Sequence, residues 1–390
     1  MEQPIIVIFK GQSQYDVMRY FADYIAAAFE QYGYPVKIID FLENDAVNHL
    51  NATIQKQEIF FFFSFNGIGI DIAVQGKSLY DQLQVPLVTF FVDDPIYHID
   101  RINHKAENVI FSFVDRNHMD FTTTQLSKKN TKVFIPHATN MDERQQVLPI
   151  RDRKVDIFLP GSYADPEVYR SQWKQCGPVI SSLMDDIMEY AYSYWGIPLH
   201  QAFQKILSDK GMEYSNYGAR LFYFLQLIDK YLRQRRRRDL VLSLKDFNLH
   251  LCGNGWGRIK NLPEAIRIDA NIPYPAVIDK MEQSKLVVTV LPLFFNGSHE
   301  RVFDAARMGA VPVTDSNQYL SENFTNGKDI IFFEGNKPDI SEIMANALLN
   351  EDKLNLIATE SRSKILKEHL WVHRAAKVLE TVIVHRNLRN

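Results

Sequence analysis

The densest chemistry of the chain lies in one short segment, Asn296-Gly297-Ser298-His299-Glu300-Arg301-Val302-Phe303-Asp304, which closes on Gly309. Arg301 and Asp304 are three positions apart, so on a helix they share one face. A guanidinium can fork onto phosphate oxygens, and a carboxylate can accept from ribose hydroxyls. The surrounding pattern predicts a buried strand over Leu286–Leu293, a polar loop over Phe294–Ser298, a helix over His299–Met308, a stop at Gly309 and a strand over Ala310–Thr314. A helix opening at the carboxyl end of a strand offers N–H groups and a positive dipole end to an anion. A nucleoside diphosphate would suit these groups. The plain alternative is a surface ion pair on an ordinary strand–loop–helix unit.

Other polar groups also follow apolar runs. Asp93-Asp94-Pro95-Ile96-Tyr97-His98 ends one of them. Paired carboxylates there could hold a divalent cation or act as general base with His98 assisting, whereas the plain reading is the turn that Asp before Pro favours. Asn66-Gly67-Ile68-Gly69 ends another, as turn-makers or as a platform for a sugar, and Arg116 and His137 follow two more. Cys252-Gly253-Asn254-Gly255-Trp256-Gly257 looks superficially like a dinucleotide fingerprint, but the third glycine position is Arg258 and Pro263 follows soon after. A tight turn that lets backbone approach a ligand is the better account. Arg233–Arg238 (RQRRRR) reads as a solvated helix end, with docking on an anionic membrane surface as the functional alternative. No nucleophile elbow, phosphate loop or His-Glu-x-x-His pair occurs.

The elements that position these groups repeat one pattern. Apolar runs at Ile5–Phe9, Val36–Ile39, Glu58–Phe65, Val85–Val92, Val109–Val114 and Lys132–Ile135 alternate with helical stretches. The pattern restarts near residue 150 with Val155–Leu159, then Asn248–Cys252, Arg267–Asp269 and Asp329–Phe333 around the opening segment. Near-continuous apolar strands between helices imply parallel sheets covered on both faces. A helix-rich stretch of about 165–245 interrupts the second half and is expected to shape an acceptor side or a partner surface. The expected fold is α/β, with two doubly wound Rossmann-like domains facing a cleft: 1–150, 151–370 with the helical insert, and a final helix 371–390 returning to the first. At 390 residues two domains are the default.

A net charge of −3 argues against nucleic acid as a general partner. Two cysteines support neither a disulfide framework nor a zinc site, and the N-terminus reads as a first strand rather than a signal peptide. No apolar run reaches the length of a membrane span. Together these point to the cytoplasm, with membrane association through Arg233–Arg238 as the variant of that expectation.

The run Glu300–Val313 resembles the donor-binding segment of GT-B glycosyltransferases, and more closely that of the CgeB/YkvP spore-protein-like glycosyltransferases, which carry Arg-Val-Phe-Glu-Ala-x-x-x-Gly there. Asp93-Asp94-Pro95, Gly161-Ser162, the Cys252–Trp256 turn (Cys where the family has Tyr) and the His369/Arg374 spacing match further features in order. The resemblance implies a two-domain glycosyltransferase using a nucleotide-diphosphate sugar, UDP-sugar favoured, with no cofactor or metal and a glycan, protein, lipid-linked or small-molecule acceptor. Asp304 would take the place of the family's ribose-holding acid. Asn296 stands where many retaining relatives of the wider fold have Glu, which fits a neutral contact. Gly161, Ser162, Gly253, Asn254, Asn296, Gly297, Ser298 and His299 would line the donor, and Arg301 would neutralise the diphosphate. Gly11, Asn66, Gly67 and His98 would lie on the acceptor side, with Asp93, Asp94 and Arg301 catalytic. Two rivals stay open: a non-catalytic nucleotide-sugar or polysaccharide-binding coat protein, and a nucleotide-sugar epimerase.

Overall fold

A computed structural model describes residues 3–141, 147–213, 219–337 and 339–389. The chain divides into two compact units, Met1–Met141 with Glu368–Asn390, and Asp142–Lys367.

In the first unit the strands are β1 (Ile5–Lys10), β2 (Val36–Asp40), β3 (Ile59–Phe65), β4 (Ala73–Val74), β5 (Lys77–Ser78), β6 (Leu87–Phe91), β7 (Val109–Phe113) and β8 (Lys132–Phe134). Six of them form one parallel sheet in the order β2-β1-β3-β6-β7-β8. The short antiparallel pair β4-β5 was not legible in the sequence, since two-residue strands carry no period. The near-continuous apolar runs become strands because helices cover both faces: Phe61, Phe62, Phe63 and Phe65 of β3 are all buried, in both pleat directions. The helix Val17–Gln31 buries Phe21, Ile25, Ala28 and Phe29, spaced at its own period, and gives way at Gly33 in a left-handed conformation.

The C-terminal helix Trp371–Arg389 packs on that helix. The Trp371 ring lies against Phe21, Phe65 and Phe90 at 5.3, 5.7 and 5.9 Å. Arg374 donates to the carbonyls of Pro136, His137 and Glu368, and its Nη2 meets His369 Nδ1 at 2.9 Å. His369 and Arg374 thus tie the start of this helix to the loop after β8.

The second unit holds β9 (Val155–Pro160), β10 (Leu249–Cys252), β11 (Arg267–Asp269), β12 (Ser284–Thr289), β13 (Val311–Asp315) and β14 (Ile331–Phe333). They form a parallel sheet in the order β11-β10-β9-β12-β13-β14. Four helices, Glu167–Lys174, Pro178–Ser193, Leu199–Asp209 and Ala219–Ser243, occupy the connection from β9 to β10. They are packed around Trp173, Leu183, Ile187, Phe203, Ile228 and Leu232, all fully or almost fully buried. The helix-rich stretch is therefore an enlarged crossover within the fold's first βαβ step.

β12 ends at Thr289, earlier than the apolar run to Leu293 predicted. The Leu291 N–H is drawn off the ladder by Asp315 Oδ2 at 2.8 Å, Pro292 has no N–H to offer, and Leu293 turns left-handed. The loop expected to be polar is mostly buried: Phe294, Asn296, Gly297 and Ser298 all lie inside, and the helix runs over Glu300–Arg307 with His299 as its N-cap.

Candidate functional site

In an open parallel sheet the point where strand order reverses leaves a crevice at the carboxyl ends of the strands. In the second unit that point lies between β9 and β12. β9 runs into Pro160-Gly161-Ser162, and the loop after β12 leads to His299 and Arg301. The two segments meet: Arg301 Nη1 donates to the Pro160 carbonyl at 2.6 Å. A Cβ on Gly161 would stand 3.0 Å from Arg301 Nη1 and 3.6 Å from the Arg237 guanidinium carbon. Gly161 adopts φ +145°, and its missing side chain is what lets both guanidiniums close over the strand end.

Arg301 is partly buried and its fork is aimed by His299, whose Nε2 lies 2.8 Å from Nη2 and whose Nδ1 accepts from Nε at 3.2 Å. The His299 ring also lies 2.5 Å from Glu300 Oε2. Burial lowers the Arg301 pKa, and the positive charge of Arg233 lowers it further against the pull of Glu300.

Gly253 and Asn254 complete this edge. Gly161 N donates to the Cys252 carbonyl and Tyr163 N to that of Asn254, both at 2.8 Å, while Asn254 N donates to Ser162 Oγ at 3.2 Å. The turn after β10 is thereby stitched to the turn after β9, and Trp256 stacks on Tyr163 at 5.6 Å beneath it. The glycine run read as a close-approach turn approaches the neighbouring backbone of Gly161 and Ser162.

The other residues of the segment are placed differently. Asn296 Nδ2 donates to Gln318 Oε1 at 3.0 Å, and Asn317 Nδ2 donates to the carbonyls of Phe294 and Gly297 at 2.8 and 2.9 Å. Ser298 is completely buried. Asp304 is also fully buried, and its Oδ2 accepts from Tyr274 Oη at 2.7 Å. Burial, with Asp304 alongside, drives the Tyr274 pKa well above its usual value, so the phenol keeps its proton. Tyr274, Asn317 and Gln318 escaped the sequence reading because they reach the site from other elements, Tyr274 from the helix Tyr274–Glu282 and Asn317 and Gln318 from the start of the helix Gln318–Asn323.

The Arg233–Arg238 run corrects the expectation of a solvated helix end. It lies inside the helix Ala219–Ser243, with Arg236 buried and Arg233, Arg235, Arg237 and Arg238 partly buried. Arg233 pairs with Asp229 at 2.5 Å, Arg235 stacks over Tyr192 at 4.1 Å, and Arg238 meets Asp239 at 2.8 Å. Arg236 is fully buried against Asp315, and Arg237 Nη1 donates to the Ser162 carbonyl at 2.6 Å. No described helix is long and apolar enough to cross a membrane.

In the first unit the order β2-β1-β3 puts the reversal between β1 and β3. Gly11, Asn66 and Gly67 end these two strands, and Asp93, Asp94 and His98 follow β6 beside them. Asn66 Nδ2 donates to Asp93 Oδ2 and Asn66 Oδ1 accepts from Val92 N, both at 2.9 Å. His98 Nε2 stands 3.7 Å from Asp93 Oδ2, and His118, which was not singled out from the sequence, stands 3.6 Å from Asp94 Oδ2. Asp94 also caps Ile96 N at 2.9 Å, which is the turn chemistry that Asp before Pro predicts. Arg101 donates to the Asn66 carbonyl and backs Gly67. Paired carboxylates and imidazoles at this edge can exchange protons with a hydroxyl group.

Cys252 lies in the second-unit site and offers a check on its packing. Burial, then the Asp269 carboxylate, pushes its thiol up to about 11, whereas Cys176 is exposed. At pH 8 only about one Cys252 in a thousand would be thiolate. Iodoacetamide should therefore label Cys176 alone in the native protein and both residues after denaturation. Native labelling of both, read by peptide mass, would contradict the closed turn after β10.

Residues 233–380 match a family model described as glycosyl transferase-like. No curated protein sequence matches the chain significantly. Among solved structures, the whole chain is similar to sucrose-phosphate synthase from Thermosynechococcus elongatus, with TM-score 0.58, 11% identity and 99% of each chain covered. An alpha-glucosyltransferase in complex with UDP and a 13-mer DNA gives TM-score 0.55 at 9% identity, covering 98% of this chain and 100% of that one. T4 phage BGT in complex with its UDP-glucose substrate gives 0.51 at 12%, covering 99% of each. Two parallel-sheet Rossmann-like domains with these neighbours over their full lengths define the architecture: the chain has the GT-B fold, and its residues 233–380 are similar to a glycosyl transferase-like family.

Proposed function

We propose that the protein is a glycosyltransferase that moves a sugar from a nucleoside-diphosphate sugar, with UDP-sugar favoured, to a glycan, protein, lipid-linked or small-molecule acceptor. The observation that carries this reading is Arg301, held by His299 against the Pro160 carbonyl at the switch point of the second sheet. Two fold neighbours contain UDP or UDP-glucose, which is why uridine is the first base to try.

In the proposed reaction an acceptor oxygen attacks the anomeric carbon while its proton passes to Asp93 or Asp94, with His98 beside them. The bond from that carbon to the diphosphate breaks, and the diphosphate leaves with the electron pair. Arg301 and the start of the helix Glu300–Arg307 stabilise the departing charge without a metal. Gly161, Ser162, Gly253 and Asn254 form the backbone edge along the donor, with Asn296, Gly297 and Ser298 behind the loop. Asp304 accepts from ribose in this reading once the Tyr274 hydroxyl gives way. Within the fold the proposal extends to the CgeB/YkvP-like group, on the Arg-Val-Phe-Asp segment. The cytoplasm is the proposed compartment, since Cys176 and Cys252 are both free.

The reading is tested by thermal stabilisation across a panel of nucleotide-sugars, since a ligand that binds only the native state raises its stability. Arg301→Ala should weaken UDP binding by about 1.5–3 kcal/mol, the range for a hydrogen bond to a charged group. Slow hydrolysis of the preferred donor should be present in the wild type and lost in Asp304→Ala. Unchanged UDP affinity in Arg301→Ala would remove its role, and nucleotide binding without hydrolysis or transfer would leave a binding protein instead of an enzyme.

A further inference from the structure

The helix Ala219–Ser243 carries a cation that the reading above does not use. Arg237 is partly buried, makes a single hydrogen bond among the described residues, from Nη1 to the Ser162 carbonyl, and has no carboxylate within ion-pair distance. Its neighbours in the run are each matched: Arg233 by Asp229, Arg236 by Asp315, Arg238 by Asp239. Arg301 likewise lacks a carboxylate within ion-pair distance. These two guanidiniums flank the same face of Gly161, both within 3.6 Å of where its Cβ would be. A buried charge without a counter-ion is costly, and two of like sign side by side cost more. Burial and then Arg301 lower the Arg237 pKa well below the guanidinium range, in keeping with a positive site lacking its anion. Five N–H donors per guanidinium leave each fork able to take phosphate oxygens beyond the bonds it makes here.

We propose that Arg237 is the second cation of the diphosphate site, so that Arg237 and Arg301 hold the two phosphates of the donor across Gly161. The enlarged β9–β10 crossover then supplies part of the donor site, and Arg236, locked onto Asp315, Leu291 and Gly335, sets the rotation of the helix that presents Arg237. The inference rests on the reading of the site as one for a nucleoside-diphosphate sugar.

Calorimetry with inorganic pyrophosphate, UDP and uridine on the wild type, Arg237→Ala, Arg237→Lys and Arg301→Ala tests it. Arg237→Ala should lose about 10–100-fold in affinity for UDP and pyrophosphate while uridine binding is unchanged, and Arg237→Lys should recover part of the loss, a point charge replacing a fork. The salt dependence of UDP binding should also become shallower in Arg237→Ala. A merely structural anchor would weaken uridine and UDP alike, and that result would overturn the proposal. Undiminished pyrophosphate binding in Arg237→Ala, with loss in Arg301→Ala, would overturn it too and leave the donor reading intact. Pyrophosphate binding that needs both arginines, in a protein that takes no nucleotide, would keep the paired site and defeat the donor reading. If Arg237→Ala fails to fold, Arg237→Lys and Arg237→Gln carry the same comparison.

Discussion

Replacing Arg236 by Ala should destabilise the second unit by about 3–5 kcal/mol, the cost of removing one partner of a buried ion pair. The side chain is 1% exposed and lies at the centre of a buried network. Its guanidinium donates to the carbonyls of Gly335 at 2.7 Å and Leu291 at 3.1 Å, pairs with Asp315, and sits 4.2 Å above the Trp195 ring. Asp315 in turn holds Leu291 N, which is the bond that ends β12 and starts the loop to Asn296. Burial opposes both charges, raising the Asp315 pKa and lowering that of Arg236, and their mutual attraction offsets it. Alanine leaves the Asp315 carboxylate in the interior without its cation, holding only the Leu291 N–H, and takes the side-chain donor away from the Gly335 and Leu291 carbonyls. Urea unfolding, followed through a probe in the second unit because a two-domain chain need not unfold in one step, gives the measurement. The double variant Arg236→Met with Asp315→Leu should recover most of the loss, since replacing both charges by apolar groups of similar volume can be nearly neutral. A shift below about 1 kcal/mol for the single variant, the level of an exposed pair, would show that the network is not closed as described.

The second large effect belongs to Gly253. Its φ of +117° is a conformation that side chains rarely adopt, and an added Cβ would press into the Gly161 carbonyl, 2.7 Å from its carbon and 3.0 Å from Ser162 N. Gly253→Ala therefore combines backbone strain with overpacking, each about 1–3 kcal/mol, for a total on the order of 2–6 kcal/mol. The clash falls on the strand end under Arg237 and Arg301, so UDP affinity should fall with stability. Gly257, four residues on, has open space at its Cβ position, and Gly257→Ala should stay within about 0.5 kcal/mol of the wild type. Thermal unfolding and UDP calorimetry on the two variants provide the comparison. Equal, small effects would mean that the turns after β9 and β10 are not stitched together.

The sequence by itself determined the sheets. Buried parallel strands are apolar on both faces, so Ile5–Lys10, Ile59–Phe65 and Val155–Pro160 stand out as runs without any partner being known. It also determined the strand–loop–helix unit that places Arg301, because helix start, glycine stop and following strand are all local signals. What tertiary structure alone decided was the fate of the charges. RQRRRR has the composition of a solvated surface, and nothing local distinguishes Arg235, which stacks on Tyr192, from Arg236, which enters the core, or Arg237, which reaches Ser162 75 positions away. Asp304 likewise has the spacing of an open ligand group and becomes a buried acceptor for Tyr274. The apolar run to Leu293 breaks at Thr289 because a carboxylate from β13 takes an N–H that periodicity had given to the ladder. A strand is written in its own residues, since burial of both faces selects their type one by one. An ion's environment is written in its partners, and these come together only when the sheet has ordered the loops at its edge.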